Sequence, residues 1–181
     1  MQTIRILPLG VYGVGKSSII NQFVNHSFTQ DYHPTHLFLR KIEFQPQDIK
    51  YNLELQDIMG VDNFTSIIDK QIQICDCFMI IFSITKLESF QQIEHMLNRI
   101  IFNKKLAKIQ DVPIVLIGNK SDLEGQREVA RSSIEEFQLK YQIHYWESSA
   151  KQGTNIRNIF QDLVQQHELI KSKKEEKERA R

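Results

Sequence analysis

A glycine-rich turn near the amino terminus constrains this chain more than any other feature of its sequence. Residues 10–17 read GVYGVGKS, which matches the pattern G-x-x-x-x-G-K-S/T. An apolar, β-branched run over residues 4–9 precedes the turn, and residues with helical spacing follow it over 17–24. Such a turn lets successive backbone N–H groups and the helix N-terminus converge on phosphate oxygens. The flanking strand and helix favour a nucleoside-triphosphate site over an ordinary glycine-rich loop.

Two side chains at the end of this turn carry the predicted chemistry. Lys16 is placed to reach the β- and γ-phosphates as a point charge. The hydroxyl of Ser17 is placed to bind Mg²⁺, a cation that prefers oxygen ligands. The turn therefore predicts a site for a nucleotide together with its magnesium ion.

The rest of the chain alternates short apolar runs with longer stretches of helical period. Strands are predicted at residues 4–9, 37–44, 49–55, 78–84, 114–117 and 143–146, and helices at 17–24, 90–106 and 155–169. This alternation is typical of a mostly parallel sheet covered on both faces. The short, turn-prone link at residues 45–48 predicts a hairpin, and hence one antiparallel edge strand. The predicted fold is α/β, a six-stranded, mostly parallel sheet with helices on both faces.

Composition and charge narrow the class of protein. A length of 181 residues suits one domain, which we place at residues 1–170, followed by a charged tail at 171–181. The tail is interpreted as either a helix extension or a disordered segment. The formal net charge of +1 and the pI near 7.8 argue against a general nucleic-acid binder, whose domain pI usually exceeds about 9.

The two cysteines and the hydropathy pattern bear on the compartment. Cys75 and Cys77 are too few for a disulfide scaffold and lie in an apolar run, so we expect core thiols in a reducing, cytoplasmic environment. No stretch reaches the roughly 18 apolar residues of a membrane span.

A second group of motifs follows the fourth and fifth apolar runs after the turn. Asn119, Lys120 and Asp122 form the pattern N-K-x-D, and Ser149-Ala150-Lys151 forms S-A-K. A carboxylate at the end of a strand can accept hydrogen bonds from guanine N1–H and its exocyclic amine, whereas adenine offers neither at that edge. The motifs therefore predict a guanine nucleotide.

Together, these motifs make the chain resemble a Ras-like small GTPase, a member of the P-loop NTPase fold, over residues 4 to 169. The resemblance implies that Asn119 and Asp122 hold the guanine, that Lys120 packs over it, and that Ser149 braces Asp122. It implies GTP or GDP and Mg²⁺ as ligands. The nucleotide-binding residues that it implies are Gly13, Val14, Gly15, Lys16, Ser17, Ser18, Phe28, Thr35, Asn119, Lys120, Asp122, Ser149, Ala150 and Lys151.

The same resemblance assigns two switch segments. Thr35, in Y-H-P-T, would bind Mg²⁺ together with Ser17 and Asp57, and Gly60, in D-I-M-G, would meet the γ-phosphate. Lys16, Thr35 and Gly60 are the catalytic residues that it implies. These loops would respond to the γ-phosphate, which is the basis of a signalling switch.

Three departures from the family pattern bear on hydrolysis. Val61 stands where the family usually has a glutamine that orients the attacking water, a role for which Ras is the standard example. Tyr12 and Met59 replace small residues near the phosphates, and the Tyr12 ring either crowds the γ-phosphate or points to solvent. We expect a slow GTPase. The alternatives are a GTP-loaded pseudo-GTPase that acts as an interaction module and, against the base motifs, another phosphotransferase.

Partners are implied by the second strand and the tail. Residues 32–40 would form an edge that receives protein effectors, and exchange and activating proteins would act as regulators. The segment 36–40 is apolar and weakly basic, which suggests a partner different from those of acidic Ras edges, or a second copy of this chain. The alternative is a strand with more side chains packed inward than usual. The tail carries six basic and three acidic residues and no lipidation cysteine, so either the sequence is truncated or the protein is not lipid-anchored. Membrane contact of this chain is expected to be weak, peripheral or absent.

Overall fold

The six strands and their mostly parallel arrangement agree with the sequence-based prediction. The computed structural model of the protein describes residues 1–29, 37–58 and 65–180. Its sheet has the order β2-β3-β1-β4-β5-β6, and the pairing is parallel except between β2 and β3. The antiparallel edge strand is confirmed. The strands are β1 (Gln2–Leu9), β2 (Leu37–Phe44), β3 (Tyr51–Ile58), β4 (Cys77–Ser83), β5 (Ile114–Asn119) and β6 (His144–Ser148).

Helices lie on both faces of this sheet. They are α1 (Lys16–Asn25), α2 (Thr65–Ile74), α3 (Leu87–Gln91), α4 (Ile93–Lys104), α5 (Arg131–Tyr141) and α6 (Ile156–Arg179), with 3₁₀ turns at Ile109–Asp111 and Ser121–Gln126. The helix predicted over residues 90–106 is thus two helices, α3 and α4. Helix α2 was not predicted at all.

Two hydrophobic clusters cover the two faces of the sheet. On one face, Phe23 of α1 stacks on Phe160 of α6, with ring centroids 3.7 Å apart. On the other face, α2, α4 and α5 pack over Phe78 and Phe82 of β4. Every residue of β4 is buried, which explains why its sequence is apolar without alternation. Because the sheet is closed on both sides, the loops at the carboxyl ends of its strands are left to form a binding cleft.

Helix α6 is the longest element and is held to the edge strand β6 by a buried carboxylate. Asp162 lies 2.8 Å from His144 Nδ1 and accepts hydrogen bonds from Trp146 Nε1 at 2.8 Å and Gln166 Nε2 at 3.1 Å. The helix continues without a break through Lys171 to Arg179, so the first part of the charged tail is a helix extension. Its last nine residues are exposed.

Two expectations about burial and hydropathy can be compared with the described residues. Cys75 and Cys77 are both buried, as core thiols should be. Within the part of the chain that the structure describes, no helix combines the length and apolar character that a membrane crossing requires.

Candidate nucleotide-binding site

One large cleft opens at the carboxyl ends of the strands. Its volume is about 790 Å³, and the loops after β1, β5 and β6 contribute to its walls. The sequence-predicted residues that line it are Gly13, Gly15, Lys16, Ser17, Ser18, Phe28, Asp57, Asn119, Lys120, Asp122, Ala150 and Lys151. Residues from Gly13 to Lys151, far apart in sequence, are thereby gathered around one cavity, which has room for a nucleotide.

The glycine turn after β1 has the backbone shape that an anion requires. Gly13 and Gly15 adopt φ angles of +79° and +100°, a left-handed region that other residues rarely adopt. Helix α1 begins at Lys16 directly after this turn, so its first N–H groups and its positive dipole end face the cleft. Val14, between the two glycines, directs its side chain into the core. Its backbone remains part of the turn.

Lys16 is held against the same turn. Only 7% of this residue is exposed, and its Nζ donates to the Gly10 carbonyl at 2.9 Å and to the Val11 carbonyl at 3.1 Å. An ammonium group in this position brings a positive charge to the wall of the cleft. Its hydrogen bonds to loop carbonyls fix the direction of the side chain before any ligand binds.

A hydroxyl and a carboxylate meet beside Lys16 in a way that suits Mg²⁺. The Ser17 Oγ donates to Asp57 Oδ1 at 2.9 Å, and Asp57 is 3% exposed at the end of β3. Hard oxygen donors of this kind fit Mg²⁺, which keeps several waters and needs only one or two protein oxygens beside substrate phosphates. Among the described residues, no group of three or more His, Cys, Asp or Glu side chains could hold a metal ion.

The other end of the cleft is organised by Asn119, the last residue of β5. Its Nδ2 donates to the Val14 carbonyl at 2.9 Å, which ties this end to the glycine turn. Its Oδ1 accepts from Ser148 Oγ and from the Ala150 backbone N–H, both at 3.2 Å. One buried amide thus links three loops of the cleft. Because all its hydrogen bonds here are internal, its first role is to set the shape of the site.

Asp122 and Lys120 line the same end of the cleft as Asn119. The Ser149 hydroxyl donates to Asp122 Oδ1 at 2.6 Å and accepts from the Gln152 N–H, so the carboxylate is held in place. Lys120 has a φ of +70°, a conformation that is uncommon for a side-chain-bearing residue and that occurs more often at functional sites. Burial lowers the pKa of its ammonium, and the nearby Asp122 opposes that shift.

Comparison with known proteins decides the family. A sequence profile of the Ras family matches residues 5–169. The Ras-like protein RAS2 of Hydra vulgaris is 34% identical over 160 residues, which cover 88% of this chain and 82% of that protein. The Ras-like protein rasU of Dictyostelium discoideum is 34% identical over 163 residues (90% and 75%), and the GTP-binding protein Rit1 of Mus musculus is 32% identical over 171 residues (94% and 76%). The chain belongs to the Ras family.

Membership of the Ras family confirms the small-GTPase interpretation and the P-loop NTPase fold. It makes the protein a GTP-binding signalling switch of the GTPase class. The sequence motifs and the cleft agree with this, because residues of the glycine turn, of N-K-x-D and of S-A-K line one cavity, although Ser149 itself is not among them.

The switch residues of this Ras family chain lie partly beyond the structural description. Thr35, Met59, Gly60 and Val61 lie outside the described residues. Asp57, which precedes the second switch, is described above.

Two aromatic residues stand at the mouth of the cleft. Phe28 is 38% exposed and lines the cleft wall, where a base or ribose could contact its ring. Tyr12 is 55% exposed and also lines the cleft. Tyr12 is thus partly open to solvent while it borders the cleft, and the crowding of a γ-phosphate by its ring stays a prediction.

An ion-pair cluster that the sequence did not reveal joins the loops that carry Asp122 and Ser149 in this Ras family protein. Arg127 Nη2 donates to Glu124 Oε2 at 2.6 Å and to Glu147 Oε1 at 2.8 Å, and the Arg131 guanidinium contacts both acids. Hydrogen bonds from Arg127 hold the pKa of Glu124 near 2. Glu124 follows Asp122 by two residues and Glu147 precedes Ser149 by two, so Arg127 joins the two loops. In the sequence, only the closeness of Glu124 and Glu147 to the two motifs could have indicated this link through Arg127.

The position of Arg40 beside the cleft was also not predicted from the sequence. It lies on the edge strand β2, which was interpreted as an effector surface, yet its side chain lines the nucleotide cleft together with Asp57 and Ser17. Leu39, the preceding residue, is exposed on the opposite face of the strand. Arg40 therefore faces the cleft, whereas Leu39 faces the outer surface of the strand.

Proposed function

We propose that the protein binds GTP and GDP together with Mg²⁺ in this cleft, and that it hydrolyses GTP slowly as part of a signalling switch. The observation that carries the proposal is that one cleft combines two chemistries. Lys16 and the Ser17–Asp57 pair lie at one end, and the Asn119, Lys120 and Asp122 set lies at the other. A nucleoside polyphosphate has the same division into a charged end and a hydrogen-bonding base.

At the phosphate end, the backbone N–H groups of Gly13, Val14 and Gly15 and the Lys16 ammonium would hold phosphate oxygens. Ser17, Thr35 and Asp57 would hold Mg²⁺. The metal, when bound, would neutralise charge on the phosphate oxygens. We assign the catalytic roles to Lys16, Thr35 and Gly60, which would act by positioning and electrostatic stabilisation rather than as a base.

At the base end, Asp122 would accept from guanine N1–H and the exocyclic amine. The Lys120 stem would cover the base plane, and the Ala150 N–H would donate to the guanine oxygen. Ser18, Phe28, Ser149 and Lys151 complete the proposed contacts. Support comes from the short Ser149–Asp122 hydrogen bond, because a carboxylate that is already oriented loses less entropy when it binds the base.

The slow rate is proposed from Val61. Valine has neither a donor nor an acceptor, so it cannot orient a water molecule for attack on the γ-phosphate. Tyr12 and Met59 would add bulk near the same phosphate. The second candidate function, a GTP-loaded interaction module without catalysis, is favoured by the same valine.

A single-turnover assay separates the two candidates. The purified protein is loaded with GTP in the presence of Mg²⁺, and the conversion of bound GTP to GDP is followed by chromatography. We expect slow conversion that Val61→Gln accelerates and that the control Val61→Leu leaves unchanged. Failure of both the protein and Val61→Gln to convert GTP would favour the interaction module. Displacement of the bound nucleotide by ATP would contradict guanine selectivity and favour another phosphotransferase.

The second strand and the composition support proposals about partners and location. Protein effectors would dock at the edge formed by residues 32–40, where Leu39 is an exposed apolar side chain, and exchange or activating proteins would act on the switch segments. We propose a cytoplasmic protein with no nucleic-acid partner.

A further inference from the structure

The edge strand β2 sends one arginine into the nucleotide cleft. Arg40 pairs with Leu55 across the β2–β3 ladder, and Asp57 lies two residues beyond Leu55. Side chains two residues apart on a strand point to the same face, so Arg40 and Asp57 are diagonal neighbours, about 7 Å apart at their Cβ atoms. Helix α1 covers this face of the sheet. Both residues line the cleft at the N-terminal end of α1.

The Arg40 side chain is half-buried in this position. None of the hydrogen bonds or ion pairs found among the described residues involves its guanidinium, whereas Lys41, the next residue, pairs with Glu54 at 2.9 Å on the other face. A guanidinium is charged at every physiological pH and carries five donors. Its donors are therefore available to a ligand in the cleft.

The charges around the phosphate end of the cleft indicate which kind of ligand would accept hydrogen bonds from Arg40. The charged side chains that the structure describes along this end are Lys16, Arg40 and Asp57. The charges of Lys16 and Asp57 cancel, so Arg40 leaves these described residues with a net positive charge. Planar guanidinium groups bind phosphate oxygens through two parallel hydrogen bonds, which adds direction as well as charge.

We propose that Arg40 is a second polyphosphate-binding cation, which contacts phosphate oxygens of the bound nucleotide from the β2 side of the cleft. This inference rests on the proposed function, because it assumes a nucleotide in the cleft. It has a consequence for the metal. A protein cation beside Asp57 supplies part of the charge neutralisation that Mg²⁺ would otherwise provide, so nucleotide binding depends less on Mg²⁺ than it would without Arg40.

The test compares nucleotide affinity with and without the metal. Dissociation constants for GDP and GTP are measured for the full chain in Mg²⁺ and in excess EDTA. The variants are Arg40→Gln, Arg40→Met, which keeps a similar apolar stem, and Arg40→Lys. Lys50→Gln is the control, because it removes one exposed positive charge at the opposite end of β3.

Loss of charged hydrogen bonds predicts a 10- to 100-fold weaker affinity in EDTA, roughly, for Arg40→Gln and Arg40→Met, and a smaller loss in Mg²⁺. For each nucleotide, the dissociation constant in EDTA divided by that in Mg²⁺ therefore rises. Arg40→Lys retains part of the EDTA affinity, and Lys50→Gln keeps the ratio of the unmodified protein.

Two results would overturn the inference. One is a ratio that stays within about twofold of the unmodified protein, and the other is an equal loss in both conditions, which a purely structural role would produce. If the unmodified protein bound neither GDP nor GTP, the proposed function itself would fail. The outcomes are therefore distinguishable.

Discussion

The side-chain amide of Asn119 donates to the backbone carbonyl of Val14 at 2.9 Å, and this hydrogen bond couples the end of β5 to the phosphate-binding turn. The two residues are 105 positions apart in sequence. The same amide group accepts from Ser148 and Ala150 through its oxygen. The geometry of the base-binding loops and of the glycine turn is therefore set through one buried side chain.

Replacing Asn119 by alanine should weaken the nucleotide site and the fold together. Asn119→Ala leaves the buried Val14 carbonyl and the Ser148 hydroxyl without this partner, at a cost of about 1–3 kcal/mol for a buried polar group. We expect a lower melting temperature and faster release of bound GDP, measured by thermal unfolding and by displacement of a fluorescent nucleotide. Asn158→Ala, which removes an exposed amide on α6, should change neither quantity. An unaltered release rate in Asn119→Ala would refute the coupling.

Gly15 should not tolerate a side chain. Its φ is +100°, and an added Cβ would collide with Asn119 Nδ2. Gly15→Ala therefore strains the turn and displaces the amide that positions the base-binding loops. Nucleotide affinity should fall by at least about tenfold, as measured by calorimetry, because misplaced N–H donors lose charged hydrogen bonds. Gly125→Ala is the matched control, since a Cβ there meets no atom within 4 Å.

The strands were predictable because the sheet is covered on both faces. Buried strands such as β4 are apolar throughout, and the run at residues 78–84 differs from Cys77–Ser83 by one residue at each end. The nucleotide motifs were predictable for a related reason. Each lies in one short loop at a strand end, so local sequence contains the whole pattern.

Other features depend on contacts between distant segments. Helix α2 was missed because its short sequence is rich in β-branched residues, and it is held by tertiary packing, including the Asp69–Arg99 ion pair at 2.7 Å. The tail has no buried face, so composition could not separate a helix from a disordered segment. The roles of Arg127 and Arg40 required the loop positions and the strand register, which the sequence alone does not provide.

The cluster around Arg127 should make stability depend on acid pH. Hydrogen bonds from Arg127 and Arg131 lower the pKa of Glu124 from 4.5 to about 2. A group whose pKa is depressed by folding stabilises the folded state above its unfolded pKa, and this contribution disappears as pH falls from about 4.5 towards 2. We expect Glu124→Gln to lower the urea midpoint at pH 6 and to approach the unmodified protein near pH 2.

The control for this experiment is Glu136→Gln, which removes an exposed carboxylate from α5 and should have little effect on the urea midpoint at either pH. A difference between Glu124→Gln and the unmodified protein that stays constant from pH 6 to pH 2 would show that the ionised carboxylate is not the source of the stabilisation.

The two cysteines should be chemically inert in the folded protein. Both side chains are fully buried, and burial raises the pKa of the Cys75 thiol to about 12 and raises that of Cys77 as well. From an ordinary value near 9, such a shift reduces the reactive thiolate at pH 8 by about three orders of magnitude. Alkylation followed by mass spectrometry should label neither thiol before unfolding. Ser172→Cys, on the exposed part of α6, provides a reactive control. Rapid labelling of either native cysteine would contradict this burial.

Asp122 provides the sharpest test of which base the cleft selects. Guanine offers two donors, N1–H and the exocyclic amine, whereas xanthine offers N1–H and a carbonyl oxygen at the same edge. Asp122→Asn presents one acceptor and one donor, so it mismatches guanine and matches xanthine. We expect GDP affinity to fall by about 10- to 100-fold and xanthosine diphosphate affinity to rise, in competition against a fluorescent nucleotide. Asp48→Asn, in the exposed link between β2 and β3, should leave both affinities unchanged. If Asp122→Asn kept its preference for GDP, another residue would have to read the base, and the short hydrogen bond from Ser149 to Asp122 would have to be explained as loop bracing alone.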